Sequence, residues 1–265
     1  MSTTVSPTTP LLQTPSFLFL GPPGSGKSTL AMQFPGVHFL DCDENLRGPD
    51  SFLRRPKVHA TAPGMGLENL TYTMDRIRFG DDGKPLEINM MWERYVQCYD
   101  RAVFNPEVKT IVTDSLTGLD EMLLHDIVRT NGVGEVGKMK IQHWIPFRSK
   151  MKTLTMNMRR HGKINIVCCH QENKYKDQQI VHYDVTMSSK LADHFGWIFT
   201  DIFRFQPQPP TTIIPPPPAT SPILVSAPPL LQCLASAMCD CKNSVGLPYE
   251  MLGTWENVKK YYSLT

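Results

Sequence analysis

The eight residues from Gly21 to Ser28, GPPGSGKS, constrain the fold of this 265-residue chain more than any other segment. They match the pattern G-x-x-x-x-G-K-[ST] in full, between an apolar run at 16–20 and a segment with helical spacing. A strand, a glycine-rich turn and a helix in this order form a loop in which backbone N–H groups and the positive helix end face phosphates. The segment therefore predicts an α/β fold that binds a nucleoside triphosphate.

Candidate ligand contacts in the loop follow from the chemistry of each position. Its lysine, Lys27, is expected to reach the β- and γ-phosphates of ATP, and Ser28 is expected to hold Mg²⁺. A second apolar run, 108–114, ends in Asp114, which would supply the other magnesium contact through water, or would instead cap the helix beginning at Leu116. The full set of candidate nucleotide contacts is Gly21, Pro22, Pro23, Gly24, Ser25, Gly26, Lys27, Ser28 and Thr29.

Short apolar runs alternate along the chain with segments of helical periodicity. We expect strands at 16–20, 36–43, 108–114, 163–169 and 197–205, with a possible one at 57–60. We expect helices after the glycine-rich turn, around 67–78, at 88–104, at 116–130, from Pro146 to about 161, and near the end of the chain. This alternation predicts a doubly wound, mostly parallel sheet flanked by helices, with ligands at the carboxyl ends of the strands.

Three segments do not fit that alternation. Residues 1–15 are rich in Ser, Thr and Pro and predict a flexible arm ahead of a single domain at 16–265. Residues 206–229 contain ten prolines, so they predict an insertion or exposed loop and exclude a helix or a central strand. Loops are expected at 132–144 and across the polar residues 170–194.

Composition narrows the cellular setting. The chain has no basic leader and no apolar run of about 18 residues, so neither secretion nor membrane spanning is expected. Its seven cysteines are an odd number without a disulfide framework, which predicts reduced thiols in the cytoplasm. Cys233, Cys239 and Cys241 lack the C-x-x-C spacing and fourth ligand of a zinc site.

The residue after Asp114 is a serine, whereas many ATP-hydrolysing enzymes have a glutamate there to activate water. Ser115 is a poor base, which disfavours the AAA+ and helicase branches. The strand after the glycine-rich loop ends in FLDCDENL (39–46), which resembles the RecA/RadA recombinase core, where Asp-x-Glu ends this strand. The resemblance implies that Asp43, or Glu44 beside it, is the catalytic carboxylate; alternatively, the acids cap a following helix.

Two later segments resemble the same core. In NIVCCHQEN, His170 and Gln171 stand where the recombinases end a strand in Asn-Gln, whose glutamine senses the γ-phosphate and couples it to a DNA-binding loop. In CKNSVGLP, Lys242 matches the first of two lysines that reach the ATP of the adjacent subunit, and Ser244 replaces the second. The match implies a contribution of Lys242 in trans, and its alternative is an ordinary surface turn.

Basic residues cluster in a chain whose formal net charge is only +2. Eight Lys and Arg and no acids lie within 136–163, a distribution that indicates a polyanionic partner. The loops at 132–144 and 172–194 correspond in order to the two DNA-binding loops of the RecA core. The candidate DNA contacts are Lys138, Lys140, Trp144, Lys174, Tyr175 and Lys176, with the aromatic rings stacking on unpaired bases and core anchoring as the alternative for Trp144.

The order of these motifs is most similar to the phage-encoded P-loop proteins with a minimal RecA-type core, which act as single-strand annealing recombinases. Asp240, Lys242, Asn243 and Gly246-Leu247-Pro248 fit a late stretch of that family. The resemblance implies a DNA-dependent ATPase that uses ATP and Mg²⁺, binds single-stranded DNA, forms a homo-oligomeric ring or filament and has a single-strand-binding protein as a further candidate partner. The alternatives are a small-molecule P-loop kinase and an ATP-binding scaffold without turnover.

Overall fold

The computed structural model describes residues 14–44, 72–188, 196, 199–209, 211–213, 223–225 and 228–262. Most of the arm expected at 1–15 and the possible strand at 57–60 lie outside these ranges. The described strands are β1 (Ser16–Gly21), β2 (Val37–Asp41), β3 (Tyr72–Arg76), β4 (Thr110–Asp114), β5 (Ile164–Lys176), β6 (Gln179–Val185), β7 (Asp201–Gln206), β8 (Thr211–Ile213), β9 (Ile223–Val225), β10 (Leu230–Gln232) and β11 (Glu250–Leu252). The α-helices are α1 (Lys27–Ala31), α2 (Ile88–Phe104), α3 (Leu116–Thr130), α4 (Ile141–Met158) and α5 (Trp255–Tyr262).

One mostly parallel sheet organises the described residues. Its strand order is β11-β10-β7-β1-β5-β4-β2-β3, with β6 paired to β5 outside this path. The strands β7, β1, β5, β4, β2 and β3 run parallel, whereas β10, β11 and β6 pair antiparallel. The doubly wound, mostly parallel α/β fold predicted from the sequence is therefore confirmed.

The sheet is buried on both faces because side chains alternate along each strand. In β1, Leu18 and Leu20 join the core formed with α2, α3 and α4, whereas Phe17 and Phe19 join the core on the opposite face. All seven cysteines are free and buried. Among the described helices, none combines the length and the apolar content needed to cross a bilayer.

The helix predicted around 67–78 is wrong over its described part. Residues 72–76 form β3, which pairs in parallel with β2 along the sheet edge. Tyr72 and Met74 alternate with polar residues, and both pack against the core that contains Phe39. Pairing with a neighbouring strand decided the conformation here, because local residue spacing was compatible with either structure.

The start predicted for the long helix is also wrong. Helix α4 begins at Ile141, with Lys140 as its N-cap, so Pro146 lies inside it. The His143 ring accepts a hydrogen bond from the Lys140 backbone N–H at 2.9 Å and closes the first turn. The part of the expected 132–144 loop that remains outside α4 contains a short 3-10 turn at Val136–Lys138.

The expectation of an irregular segment at 170–194 is wrong over 170–185. Strand β5 continues for 13 residues to Lys176 and forms an antiparallel hairpin with β6. We call residues 171–185 the sensor hairpin. Its side chains alternate between half-buried and exposed over 171–174 and 179–182, a two-residue period that its polar composition concealed in the sequence, whereas residues 174–179 are all exposed.

The proline-rich segment leaves the sheet where β7 ends at Gln206. Its described parts include β8 and β9, which pair with each other in a separate two-stranded ribbon. The chain then returns as β10, which lies antiparallel to β7. The prolines thus fall between the last parallel strand and the antiparallel edge of the sheet.

Candidate nucleotide-binding and catalytic site

The glycine-rich loop leaves the carboxyl end of β1 and enters α1. Gly24 and Gly26 have φ angles of 74° and 93°, a left-handed conformation that side-chain-bearing residues rarely adopt. Lys27 is buried, and its Nζ donates hydrogen bonds to the carbonyl oxygens of Gly21 and Pro22 at 2.9 Å each. Burial lowers the pKa of Lys27. The ammonium group is thus held inside the loop, in the position from which it would reach phosphate oxygens.

The two predicted magnesium contacts lie together. Ser28 Oγ donates a 2.5 Å hydrogen bond to Asp114 Oδ2. Burial raises the pKa of Asp114, and the neighbouring Asp43 raises it further against the opposing hydrogen bond from Ser28. The alternative role of Asp114 as a helix cap is wrong, because Ser115 is the N-cap of α3 and its Oγ accepts from the Gly118 N–H at 3.3 Å.

These residues fit a magnesium nucleotide. Ser25 Oγ is buried without a hydrogen-bond partner among the described residues, inside a glycine-rich loop of the kind that turns backbone N–H donors toward phosphates. One hydroxyl and one carboxylate, Ser28 and Asp114, suit Mg²⁺, which keeps most of its waters and uses few protein ligands. When bound, the ion would neutralise charge on the phosphate oxygens.

The carboxylate sought on the neighbouring strand is Asp43. Its Oδ2 lies 3.5 Å from His170 Nε2, and its side chain is only 15% exposed. Burial raises the pKa of Asp43, but hydrogen bonds from His170 and Ser115 outweigh it and hold the pKa below its ordinary value. Asp43 therefore stays ionised at neutral pH beside the magnesium contacts.

Close packing at the start of α3 fixes this carboxylate. A Cβ atom on Gly118 would overlap Asp43 Oδ1 and lie 3.0 Å from the Cys42 carbonyl oxygen. Asp43 and Gly118 also line an open cleft of ≈ 630 Å³. Glu44 is the next residue, with a left-handed φ of 57°, and it is half-buried. The contacts with His170, Ser115 and Gly118 favour Asp43 over Glu44 as the catalytic carboxylate.

Strand β5 reaches the same end of the sheet as the glycine-rich loop. His170 is aligned with Gly21 in the parallel pairing of β1 and β5. Gln171 has both ends of its amide engaged: Oε1 accepts from Arg204 Nε at 3.2 Å and Nε2 donates to Asn173 Oδ1 at 3.0 Å. Sequence reasoning placed Gln171 here and missed Arg204, whose isolated position in an apolar strand was its one signal.

Lys242 lies elsewhere. It exchanges backbone hydrogen bonds with Ile202, which is aligned with Leu18, three residues before the end of β1. Burial lowers the pKa of its ammonium group. Ser244, which replaces the second family lysine, donates from its N–H to the buried Asp201 at 2.6 Å. Lys242 is therefore not part of the cluster formed by Lys27, Ser28, Asp114, Asp43 and His170.

The candidate DNA contacts divide into two groups and one exception. Lys138 and Lys140 are exposed just before α4, and Lys138 pairs with Glu135 at 3.4 Å. Lys174, Tyr175 and Lys176 are exposed near the tip of the sensor hairpin, where Lys174 pairs with Glu172 at 3.2 Å. The exception is Trp144, which is half-buried and packs edge-on against Phe147 with ring centroids 5.6 Å apart. This contact supports the alternative that Trp144 anchors α4 to the core.

Comparison with known families adds an independent observation. Residues 13–206 match a family described as an AAA domain. The chain belongs to this family. The matched part of the AAA domain contains every candidate site residue except Lys242. The family description does not agree with the expectation that Ser115 disfavours the AAA+ branch. The related expectation, a carboxylate contributed by the neighbouring strand, agrees with the position of Asp43.

A comparison with solved structures finds matches at low sequence identity. A KaiC-like protein from the archaeon Pyrococcus horikoshii is 15% identical, with 74% of this chain and 73% of that chain covered and a TM-score of 0.34. The flagellar accessory protein FlaH from Methanocaldococcus jannaschii is 10% identical, with 90% and 84% covered and a TM-score of 0.37. A comparison with curated proteins finds no match.

Proposed function

We propose that this P-loop ATPase of the RecA-like type is an ATP-dependent, single-stranded-DNA-binding recombinase that anneals complementary strands. The observation that carries the proposal is the continuity of β5. The strand holds His170 and Gln171 at the nucleotide end of the sheet and runs without a break into the hairpin that exposes Lys174 to Lys176. One continuous strand therefore links the candidate catalytic cluster to a basic, aromatic surface.

The catalytic cluster supports ATP hydrolysis. Lys27, Ser28 and Asp114 would hold the phosphates and Mg²⁺. Asp43, ionised and held by Ser115 and His170, would accept a hydrogen bond from the attacking water and orient it. A carboxylate one strand away from Asp114 replaces the glutamate that other ATPases have directly after this position.

The two basic groups support binding to a nucleic acid strand. The ion pairs of Lys138 and Lys174 are exposed, and such pairs contribute at most about 1 kcal/mol, so a phosphate can displace the acidic partner. Tyr175 is 63% exposed and offers a ring for base stacking. An aromatic ring between two lysines suits an unpaired strand, whose bases are free to stack.

Annealing and assembly are the finer parts of the proposal. The choice of annealing, and of a phage-encoded protein, rests on the resemblance carried by Asp240, Lys242, Asn243 and 246–248. Assembly into a ring or filament rests on the same resemblance, in which Lys242 acts in trans, and Lys242 does lie away from its own phosphate-binding loop.

A DNA-binding titration tests the proposal. Fluorescence anisotropy of a labelled single strand would be measured with and without a non-hydrolysable ATP analogue, for the native chain, Lys27→Ala and the control Lys84→Ala. Lys84 lies in an exposed turn, paired with Asp82 at 3.2 Å. ATP-enhanced binding that Lys27→Ala abolishes and Lys84→Ala retains would support the proposal, as would ATP-dependent annealing of complementary strands.

Two other results would overturn the proposed function. ATP hydrolysis without any nucleotide-sensitive DNA binding would exclude the recombinase. Phosphate transfer that requires a small-molecule acceptor would instead identify a kinase.

A further inference from the structure

A hydrogen-bonded chain of side chains runs along one face of the sensor hairpin. Arg204 Nε donates to Gln171 Oε1 at 3.2 Å, and Gln171 Nε2 donates to Asn173 Oδ1 at 3.0 Å. Asn173 Nδ2 then donates to the Tyr175 hydroxyl at 3.4 Å. Residues 171 and 173 share one face of β5, and the pairing with β6 shifts register between Lys174 and Tyr175, the residue that the third hydrogen bond reaches. The chain ends at the ring proposed to meet DNA bases.

Arg204 is placed to hold both strands of the hairpin at its base. Its guanidinium carbon lies 3.5 Å from the centroid of the Tyr183 ring, a cation–π contact. Tyr183 on β6 is paired with Asn173 on β5. Arg204 itself is half-buried on β7, two strands from β5 across β1. One side chain fixed in the sheet thus contacts Gln171 and Tyr183, where the hairpin leaves the sheet.

The opposite face of the same strand has a different pattern. Glu172 and Lys174 are exposed and pair with each other at 3.2 Å. Lys174 also lies 3.9 Å from Asp184 on β6, and both ion pairs are solvent-screened, so they transmit little. The hydrogen-bonded set runs from the nucleotide end of β5 through the half-buried Gln171 and Asn173 and ends at the exposed Tyr175.

We propose that Arg204 and Asn173 are positioning residues that couple the orientation of Gln171 to that of Tyr175. This inference rests on the proposed function, because it concerns the regulation of the same site by nucleotide and DNA. The Gln171 amide is shared between Arg204 and Asn173; if it turns toward the γ-phosphate, both hydrogen bonds must rearrange. Asn173 then changes its bond to Tyr175, and the hairpin tip shifts between two arrangements.

Coupling between the ATP and DNA sites must be reciprocal, so the proposal predicts a factor that can be measured. If ATP changes the affinity for DNA by some factor, DNA must change the affinity for ATP by the same factor, typically about 5–150-fold. Asn173→Leu removes the middle of the chain at similar volume. We expect it to bring this factor close to 1, while the affinity for DNA without nucleotide and the affinity for ATP without DNA stay within about threefold of native.

Three companion variants separate coupling from simple structural damage. Gln179→Leu makes the same kind of amide-to-Leu change at the exposed start of β6, off the chain, and should keep the native coupling factor. Arg204→Lys keeps the charge but loses the planar fork that holds Gln171 and stacks on Tyr183, so it should lower the coupling. Asn173→Ala removes both the acceptor for Gln171 and the donor to Tyr175, so it should also lower the coupling.

A measurement without DNA keeps this inference distinct from the proposed function. Hydrogen exchange of amides 172–185 would be followed with and without the ATP analogue in the native chain, Asn173→Leu and Gln179→Leu. We expect the analogue to alter exchange in the native chain and in Gln179→Leu, and to leave Asn173→Leu unchanged.

The outcomes are separable. A native-like exchange response or coupling factor in Asn173→Leu would overturn the relay even if DNA binding is established. An analogue that fails to alter hairpin exchange in the native chain would overturn it as well. A relay that responds to nucleotide in a protein without affinity for DNA would overturn the proposed function alone.

Discussion

At the scale of single residues, the structure places Asp43, the proposed catalytic carboxylate, near Asp114, a proposed magnesium contact that has no glutamate after it. Asp41 and Asp114 are paired positions of β2 and β4, so the two strands end side by side. Asp43 follows two residues later and turns toward Ser115 and His170. Ser115 therefore has two structural contacts: it caps α3, and it donates a hydrogen bond to Asp43, the carboxylate proposed as the base.

The first prediction separates Asp43 from Glu44. Asp43→Asn removes the ionised acceptor and should lower kcat for ATP hydrolysis by about 10²–10⁴-fold, the usual contribution of a positioned base. Glu44→Gln should leave kcat within about threefold, because Glu44 has none of the contacts that fix Asp43. Phosphate release at saturating ATP measures both variants, and the opposite ranking would assign the base to Glu44.

The second prediction concerns the glycine that faces Asp43. Gly118→Ala adds a methyl group into the space of Asp43 Oδ1 and the Cys42 carbonyl, so it should reduce ATP turnover by at least about tenfold through displacement of Asp43. Gly137→Ala is the matched control, because its added Cβ would meet no atom within 4 Å. Turnover and nucleotide affinity would be measured together; unchanged turnover in Gly118→Ala would show that Asp43 need not stay in this position.

At the scale of elements, the sequence predicted the strands that are buried on both faces of the sheet. It did not predict the strands whose conformation depends on pairing with a neighbouring strand. The runs that became β1, β4 and the first half of β5 are apolar because both faces of the sheet are covered, so composition revealed them. Strand β3 lies at the edge, and the sensor hairpin projects from the sheet; both have polar residues whose conformation depends on a partner strand. Pro146 suggested a helix start, whereas α4 begins five residues earlier.

The candidate site also combines residues that the sequence could predict with contacts that it could not. The glycine-rich loop, Asp114 and Asp43 could be predicted because each ends or follows a recognisable strand. The contacts of Ser115, Gly118 and Arg204 could not, because they depend on the distance between elements that are far apart in the chain. The sequence allowed Trp144 to be either a DNA contact or a core anchor, and its packing against Phe147 within α4 supports the core anchor.

The third prediction tests the two basic elements through the salt dependence of DNA binding. Lys140→Ala, before α4, and Lys176→Ala, on the sensor hairpin, should each weaken single-strand binding. Each should lower the slope of log K against log salt concentration by about 0.7, the value for one phosphate contact on a single strand. Arg160→Ala, beyond the end of α4, should leave the slope unchanged. Anisotropy titrations at several salt concentrations decide, and equal slopes in all variants would remove these elements from the DNA surface.

At the scale of the whole molecule, Lys242 and Ser244 have different surroundings, although they are two residues apart in the chain and match the two lysines of the recombinase motif. Lys242 lies beside Ile202, and Ser244 is bound to Asp201, which also accepts a hydrogen bond from the Tyr262 hydroxyl at 2.7 Å. Asp201 on β7 therefore joins the late segment, through Ser244, to α5, through Tyr262, within the same chain. Lys242 is half-buried and lines a cavity of ≈ 590 Å³ with Tyr183 and Ile202, so an adjacent copy would have to reach Lys242 there.

The fourth prediction distinguishes action of Lys242 on its own site from action on a neighbouring one. Lys27→Ala and Lys242→Ala should each abolish most ATP turnover when assayed separately. If Lys242 acts in trans, a 1:1 mixture should recover about a quarter of native turnover, because a quarter of heterologous interfaces pair an intact loop with an intact Lys242. No recovery on mixing, in subunits shown to exchange, would contradict the trans role.

Because every cysteine is buried, the sensor hairpin can be labelled at a single introduced thiol. Thiol-reactive dyes need an accessible thiolate, and all seven native cysteine thiols are buried within the fold. A single Asp177→Cys substitution, in the turn between β5 and β6, would therefore be labelled selectively without removing any native cysteine. Paired with a dye on a DNA strand, that position would report the arrival of each strand at the hairpin tip in real time, one molecule at a time.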